Sequence, residues 1–267
     1  MQRVACLNSY CREGISTKPK LLVDAVQSSR LITVKKSNEL IKKLSKLTSK
    51  TQSKHLNRQV HIKGRAKALN ESVYYTIDAI HDAINTSKKI SFRYFSYDIK
   101  KNRIYYRLDK PFIRTPVALC WNDDNYYLIS YSPKFDIPFA TFRVDRMTEV
   151  EVLEDKGDKY DKSQFNVTEY IKQNFGMFTG EVLKAKLSFD ESLVNVVLDQ
   201  FGSETYMVGS GDGRFVINAN VSATSIFLGW MFKFGDYAEI LEPESLREAM
   251  RDLIKTGNMV YGGKATY

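Results

Sequence analysis

The sequence has few of the residues from which metal centres and acid–base active sites are usually built. It contains three cysteines without a CxxC pair, and His55 and His61 have no cysteine or carboxylate partners. The signatures GxxxxGK[ST], HExxH and GxSxG are absent. The glycine-rich stretch GSGDG at 209–213 lies between two predicted strands, which favours a hairpin turn. We therefore expect no enzymatic activity, no metal site and no cofactor.

Long apolar segments are missing too. The opening residues, MQRVACLNSYCREGIS, contain no apolar core of the secretory-signal type. Runs such as SIFLGWMF fall far short of the roughly 18 residues that a membrane-spanning helix needs. Sparse cysteines argue against a disulfide framework. The sequence thus predicts a cytoplasmic protein without membrane association.

Acidic residues are scarce in the N-terminal quarter of the chain. Residues 1–70 contain 16 Lys or Arg but three acids, whereas the remainder has 24 basic and 28 acidic residues. Such asymmetry favours a polyanionic partner, with nucleic acid the first candidate. A solvated lysine-rich helix explains it equally well. The candidate basic surface consists of Lys35, Lys36, Lys42, Lys43 and Lys46.

Three amphipathic helices are predicted before residue 90. Residues 19–33 and 33–50 both repeat apolar side chains at helical spacing, and Thr33 can cap the second helix. Between them and the third helix, QVHI at 59–62 could form one short strand. The third helix covers 70–89 with Asn70 or Ser72 as its cap, and we interpret His81 as a surface residue.

The hydrophobic period changes to two after this helix. Short alternating segments follow, separated by polar turns such as the one at 122–125. They read KISFRYFSYD, RIYYRL, FIRTPVALCW, YYLISY, FATFRVDR and TEVEVL. This pattern predicts a small, strongly bent antiparallel sheet or barrel over about residues 88–154.

Two side-chain types stand out in this barrel segment. Tyrosine and tryptophan rings can stack on bases, and arginine forks can hold phosphates. The candidate ligand- or nucleic-acid-binding residues are Arg93, Tyr94, Arg114, Trp121, Tyr127, Tyr131, Arg143 and Arg146. Composition alone favours the alternative, in which the rings pack a barrel core and Asp145 forms a structural ion pair with Arg146.

The strand FRVDR sets a geometric condition on this site. In a regular strand Arg143 and Asp145 share one face, and Arg146 lies on the other. The two arginines can therefore line one pocket only if the chain bends between them.

The last third of the chain has a different organisation. Charged residues at 154–164 suggest a linker and a domain boundary. Beyond it, the order of predicted elements is β-α-β-β-α-β followed by a helix, with Gly202 and Gly235 ending two helices and Pro243 near the start of the last. This order is typical of a ferredoxin-like domain.

These segments together resemble the WYL-domain family of bacterial transcriptional regulators. Trp121, Tyr127 and Leu128 match the Trp-Tyr-Leu signature, and FRVDR matches an F-R-x-D-R segment of the family. ISFRYFSYD resembles its opening strand, residues 20–67 resemble its helical linker, and the last region resembles its C-terminal extension. The resemblance covers about residues 19–252.

The resemblance implies an α+β protein with three parts. They are a basic helical linker region (1–70), a WYL domain with a helix and a small Sm/SH3-like antiparallel β-barrel (71–158), and a C-terminal ferredoxin-like βαββαβ extension (159–267). It also implies an anionic, nucleotide-like effector and a homodimer.

The chain departs from the family pattern in its first residues. No helix-turn-helix is found in the 18 residues before Pro19, so we expect the DNA-reading head to be absent and a separate DNA-binding subunit to be a candidate partner. Three interpretations stay open. The chain is the effector-sensing part of a regulator, a free-standing single-stranded nucleic-acid-binding module, or a truncated accessory protein without independent DNA recognition.

Overall fold

A computed structural model describes residues 21–29, 32–46, 72–107, 110–163 and 165–262. Helices and antiparallel sheets are both present, which confirms the α+β class. The described residues form two compact units. The first is drawn from Met1–Leu128 and Phe142–Gly157, and the second from Ile129–Thr141 and Asp158–Tyr267.

Two N-terminal helices occur where the sequence predicts them. The first (α1) covers residues 21–28, and the second (α2) covers Val34–Lys46. Thr33 caps α2, because its Oγ1 accepts a hydrogen bond from the backbone N–H of Lys36 at 3.2 Å. The suggested strand QVHI lies outside the described residues.

The third helix (α3, Ser72–Thr86) packs against the first sheet. Val73, Ile80 and Ala83 are buried on the helix face towards the sheet, and His81 is exposed as expected. Of its suggested caps, Asn70 lies outside the described residues, and so does the side chain of Ser72. The helix thus covers one face of the strands that follow.

Six strands build the first sheet. They are β1 (Lys88–Tyr97), β2 (Arg103–Tyr105), β3 (Phe112–Asn122), β4 (Asn125–Tyr131), β5 (Phe139–Arg143) and β6 (Met147–Lys156). The order is β2-β1-β3-β4-β5, and β6 also pairs with β1. The β3–β4 turn is confirmed: Asp123 and Asp124 both have positive φ, the conformation of a two-residue hairpin turn that follows the strand twist.

The chain bends between the two arginines of FRVDR. Strand β5 ends at Arg143, Val144–Arg146 forms one 3₁₀ turn, and β6 begins at Met147. Val144 is fully buried and fixes this turn to the core. The backbone therefore contains the bend between Arg143 and Arg146 that a site lined by both side chains requires.

The second unit has the predicted order of elements after residue 180. It contains β7 (Val182–Asp190), α5 (Val194–Phe201), β8 (Val208–Gly209), β9 (Arg214–Ser222), α6 (Ser225–Phe232), β10 (Ala238–Glu242) and α7 (Glu244–Tyr261), preceded by α4 (Val167–Gln173). The antiparallel sheet has the order β10-β7-β9-β8.

Most of the turns and helix ends predicted for this unit are confirmed, but the predicted end of one helix is wrong. Gly202 ends α5 with φ of 100°, and the GSGDG stretch turns between β8 and β9. Helix α6 ends at Phe232 rather than at Gly235, because Gly235, with φ of 59°, begins a separate 3₁₀ turn. Within the described residues, no helix is long and apolar enough to cross a membrane.

Candidate functional site

A cluster of aromatic rings lies at the centre of the first unit. Phe142 on β5 makes edge contacts with Phe92 and Tyr94 on β1, at centroid distances of 5.0 and 5.1 Å. It also contacts Phe112 on β3 at 5.4 Å. The β1–β3 register sets Phe92 opposite Phe112, so strand pairing assembles the cluster.

Two guanidinium groups lie over rings of this cluster. The Cζ atom of Arg107 is 4.2 Å from the ring centroid of Phe112, and that of Arg114 is 5.8 Å from Phe142. Arg114 is only 6% exposed, and burial lowers the pKa of its guanidinium, with the charge of Arg107 adding to the effect. Arg107 is exposed, so it is the guanidinium of the two that solvent reaches.

Tyr94 connects the rings to the arginines of FRVDR. Its ring is 5.6 Å from that of Tyr106, which is 62% exposed. Its hydroxyl oxygen accepts a hydrogen bond from the backbone N–H of Arg143 at 3.2 Å. Burial raises the pKa of Tyr94, whereas this hydrogen bond and the charge of Arg146 lower it. Tyr94 therefore links an exposed ring to the FRVDR turn, where the charges of Arg146 and Asp145 act on its phenol in opposite directions.

Arg143 is held by a carboxylate and an amide. Its Nε and Nη2 donate to the two oxygens of Asp145 at 3.0 and 2.8 Å, and Nη2 also donates to Oδ1 of Asn125 at 2.7 Å. These bonds to Asp145 raise the pKa of the guanidinium against the opposing effect of burial. The suggested Asp145–Arg146 ion pair is thus wrong, since the partner of Asp145 is Arg143.

Both FRVDR arginines act on Tyr127 as well. This residue of the Trp-Tyr-Leu signature is buried, and burial raises the pKa of its phenol. The charges of Arg143 and Arg146 both lower that pKa. The 3₁₀ turn therefore brings the two guanidinium groups within electrostatic reach of the same phenols, although strand alternation alone would separate them.

The hairpin of β3 and β4 presents a second aromatic pair. Trp121, near the end of β3, is 47% exposed, and its ring meets that of Tyr126 edge-on at 4.8 Å. Tyr126 follows Asn125, the residue that binds Arg143, on the same strand. Strand alternation therefore directs the Trp121–Tyr126 pair to the face of β4 opposite to Asn125.

Two of the sequence-predicted site residues lie elsewhere. Arg93 points away from the ring cluster, with its Cζ atom 4.0 Å from the ring centroid of Tyr105 and an ion pair to Glu149 at 3.5 Å. Tyr131 lies in the second unit, with its ring 5.0 Å from that of Phe139 and 5.3 Å from that of Tyr160. Strand alternation accounts for the first separation, because Arg93 and Tyr94 are consecutive on β1.

The lysines of the candidate basic surface lie on α2. Lys35, Lys42, Lys43 and Lys46 are exposed, and Lys36 forms an ion pair with Glu39 at 3.2 Å. Hydrogen bonding and charge from Lys36, with further charge from Lys35 and Lys43, lower the pKa of Glu39. Glu39 is the one acidic residue on this helix.

Sequence reasoning missed Tyr106, Arg107 and Asn125. The available signal for the first two was the Tyr-Arg pair in RIYYRL, directly before the strand that contains Arg114. Folding of the chain brings the ring of Tyr106 against that of Tyr94, and hydrophobic periodicity does not reveal this contact. Asn125 was read only as a turn residue.

Two family models match the chain. The WYL domain model matches residues 75–152, which include the ring cluster and both FRVDR arginines. The WCX domain model matches residues 181–256, from β7 into α7. The two matches follow one another along the chain without overlap.

Comparison with solved structures finds proteasome accessory factor B/C (PafBC) of Arthrobacter aurescens. The sequences are 20% identical over a match that covers 73% of this chain and 28% of that chain, with a TM-score of 0.32. The chain thus corresponds to less than a third of that protein's length. No curated protein sequence matches the chain.

Proposed function

Because the chain belongs to the WYL-domain family, we propose that it is the effector-sensing part of a bacterial transcriptional regulator. Its barrel binds an anionic, nucleotide-like ligand through aromatic and arginine side chains, and it catalyses no reaction. The proposal depends most on one observation: Tyr94 packs against the exposed ring of Tyr106 at 5.6 Å, and its hydroxyl accepts a hydrogen bond from the backbone N–H of Arg143 at 3.2 Å.

The exposed members of the site supply the contacts to a ligand. Tyr106 and Arg107 are consecutive, exposed and packed on the ring cluster, so a base can stack on the phenol ring while the guanidinium holds a phosphate. Partly exposed Arg146 offers a second positive charge. Buried Arg114 supports Phe142 from within.

Arg143 has a different role from the exposed arginines. Asp145 accepts two hydrogen bonds from its fork and Asn125 accepts one, so a phosphate that binds Arg143 must compete with the protein's own carboxylate. Asp145 therefore weakens anion binding at this point while it fixes the orientation of Arg143.

The fold proposals follow the element order. We infer an Sm-like barrel in the first unit, supported by the helix α3 before the strands and by the 3₁₀ turn between β5 and β6. We infer a ferredoxin-like extension in the second unit, supported by the sheet order β10-β7-β9-β8.

Ligand binding shifts the regulator between states only if the two states bind the ligand with different affinity. We propose that the chain acts in a homodimer, and that the signal reaches DNA through a DNA-binding subunit or domain. The ligand site and the reader of DNA are then distinct, as the resemblance implies.

A second candidate function rests on α2. Its exposed lysines and single acidic residue favour contact with a nucleic-acid backbone, as in a free-standing single-stranded nucleic-acid-binding module. In that case the helix supplies the affinity, and the barrel contributes little.

Fluorescence anisotropy with labelled single-stranded, duplex and structured oligonucleotides, titrated with salt, separates these functions. Arg107→Gln, at an exposed position, is expected to weaken single-strand binding about tenfold and to reduce the salt slope by about one. Lys110→Gln, an exposed change of the same charge nearby, serves as the control.

Two outcomes contradict the barrel proposal, and a third contradicts the separate DNA-binding subunit or domain. Binding that is unchanged in Arg107→Gln but lost when Lys42 and Lys43 are neutralised supports the module on α2 instead. The accessory interpretation applies if no oligonucleotide or nucleotide binds. Sequence-specific duplex binding shows that the chain itself reads DNA.

A further inference from the structure

The second unit contains a cavity of about 360 Å³, distinct from the barrel site. Its walls come from the end of α6, strand β10 and the middle of α7. This volume lies in the range of small-molecule sites. All the residues that line it belong to one unit, so the cavity is complete within the described part of that unit.

The interior of the cavity is apolar. Met231 and Ile240 are buried and form its floor, and Met250 adds a flexible thioether to one wall. Phe232 is 54% exposed and Ile254 is 48% exposed at its lining. Water therefore contacts apolar side chains that a ligand with an aliphatic or aromatic body would cover, a change that the hydrophobic effect favours.

Charged side chains line the cavity as well. Arg247 donates to Oε1 of Glu239 at 2.9 Å and to the carbonyl oxygen of Ile240 at 2.6 Å, so its guanidinium is fixed and the charge of Glu239 is balanced. Arg251, one turn further along α7, donates through Nη1 to Glu244 and is otherwise largely exposed. Glu244 also pairs with Arg247, whose Nε lies 3.5 Å from Oε2 of Glu244, so the two guanidinium groups and the two carboxylates balance in charge. Arg251, the more exposed arginine, keeps further N–H groups besides the one that Glu244 accepts from.

From this arrangement we propose that the cavity binds a small amphipathic carboxylate. The apolar body of the ligand lies against Met231, Ile240 and Met250. Its carboxylate accepts hydrogen bonds from the N–H groups of Arg251 beyond the one that Glu244 occupies. The second unit is thus a ligand-binding domain in its own right, with a ligand class different from the nucleotide-like ligand proposed for the barrel.

Decanoate is a suitable probe, with decanol as its neutral counterpart. Methionine methyl groups labelled with ¹³C report the place of binding by NMR, after assignment by single Met→Leu substitutions. Decanoate is expected to shift the signals of Met231 and Met250 in a saturable manner, while Met147 in the first unit stays unchanged. Decanol is expected to bind at least about fivefold more weakly, since it lacks the charge.

Two variants locate the two halves of the site. Arg251→Gln, at an exposed position, is expected to weaken decanoate about fivefold and leave decanol unaffected, whereas exposed Lys255→Gln on the same helix changes neither. Ala238→Phe fills the cavity and is expected to abolish both.

The proposal is overturned if decanoate at millimolar concentration moves neither pocket methionine. Equal affinity for decanoate and decanol, or an unchanged decanoate affinity in Arg251→Gln, overturns the assignment to carboxylates. Neither result bears on oligonucleotide binding by the barrel, so the two proposals fail separately.

Discussion

Asp145→Asn tests whether the carboxylate of Asp145 competes with a bound phosphate for the guanidinium of Arg143. The substitution keeps the shape of the side chain but replaces a charged oxygen that accepts from Nη2 of Arg143 at 2.8 Å. The two side chains are 29% and 35% exposed, so solvent screens the pair in part. We expect a loss of about 1 kcal/mol in the free energy of unfolding, measured by urea denaturation.

The same substitution is expected to strengthen anion binding. With the carboxylate gone, the fork of Arg143 can turn its N–H groups to a phosphate, and the affinity for a short single-stranded oligonucleotide should rise about three- to tenfold. Anisotropy titration measures this change. Glu149→Gln is the matched control, because Glu149 pairs with Arg93 outside the ring cluster and its removal changes the net charge equally.

Three results would contradict the role of Asp145 as a competitor of the bound anion. If Asp145→Asn binds more weakly than the parent, Asp145 orients Arg143 for binding and does not compete. If Glu149→Gln strengthens binding as much, the effect comes from net charge alone. If unfolding is unchanged, the two hydrogen bonds contribute nothing to stability.

Further predictions concern the cores and the buried thiol. Phe142→Ala should destabilise the first unit by about 3–4 kcal/mol in urea denaturation, because three rings of the cluster lose their shared contact; a loss below about 1 kcal/mol contradicts a packed cluster. Ser222→Ala should cost about 1–3 kcal/mol, since the buried Ser222 hydroxyl donates to Oδ1 of Asn174 at 2.6 Å; an unchanged midpoint would argue against that bond. Burial raises the pKa of Cys120 to about 11, so in a Cys6→Ser, Cys11→Ser background its thiol should resist aromatic disulfide reagents at pH 8 until urea unfolds the chain. Because folding raises the pKa of this thiol, its contribution to the free energy of unfolding should be complete below pH 9 and should decline towards pH 11. Rapid labelling of the native protein at pH 8 would contradict the burial on which both expectations depend.

Local signals predicted the elements well. The change of period near residue 88, the cap Thr33 and the polar turn at 122–125 act within a few residues of chain, and each is present in the structure. Helix α4 was missed, although Asn166 caps it by accepting from the backbone N–H groups of Thr168 and Glu169. That signal was readable in NVTE, an asparagine three residues before a glutamate.

Contacts between distant residues were less predictable. The sequence placed Asp145 with its neighbour Arg146, but the 3₁₀ turn lets Asp145 reach Arg143 and be held there. It also grouped Arg93 with Tyr94, which face opposite sides of β1. The contacts of Tyr106 with Tyr94 and of Arg107 with Phe112 depend on the path of the chain after β2. No residue pattern specifies that path.

Photocrosslinking of a single-stranded oligonucleotide containing 5-bromodeoxyuridine shows directly whether a base stacks on the exposed ring of the barrel. Excited bromouracil reacts with aromatic side chains on which it stacks, and mass spectrometry of the peptides identifies them. If a base stacks on the barrel site, crosslinks are expected within residues 94–107 and should be reduced in Tyr106→Ala. Crosslinks confined to α2, or unchanged in that variant, would contradict this stacking.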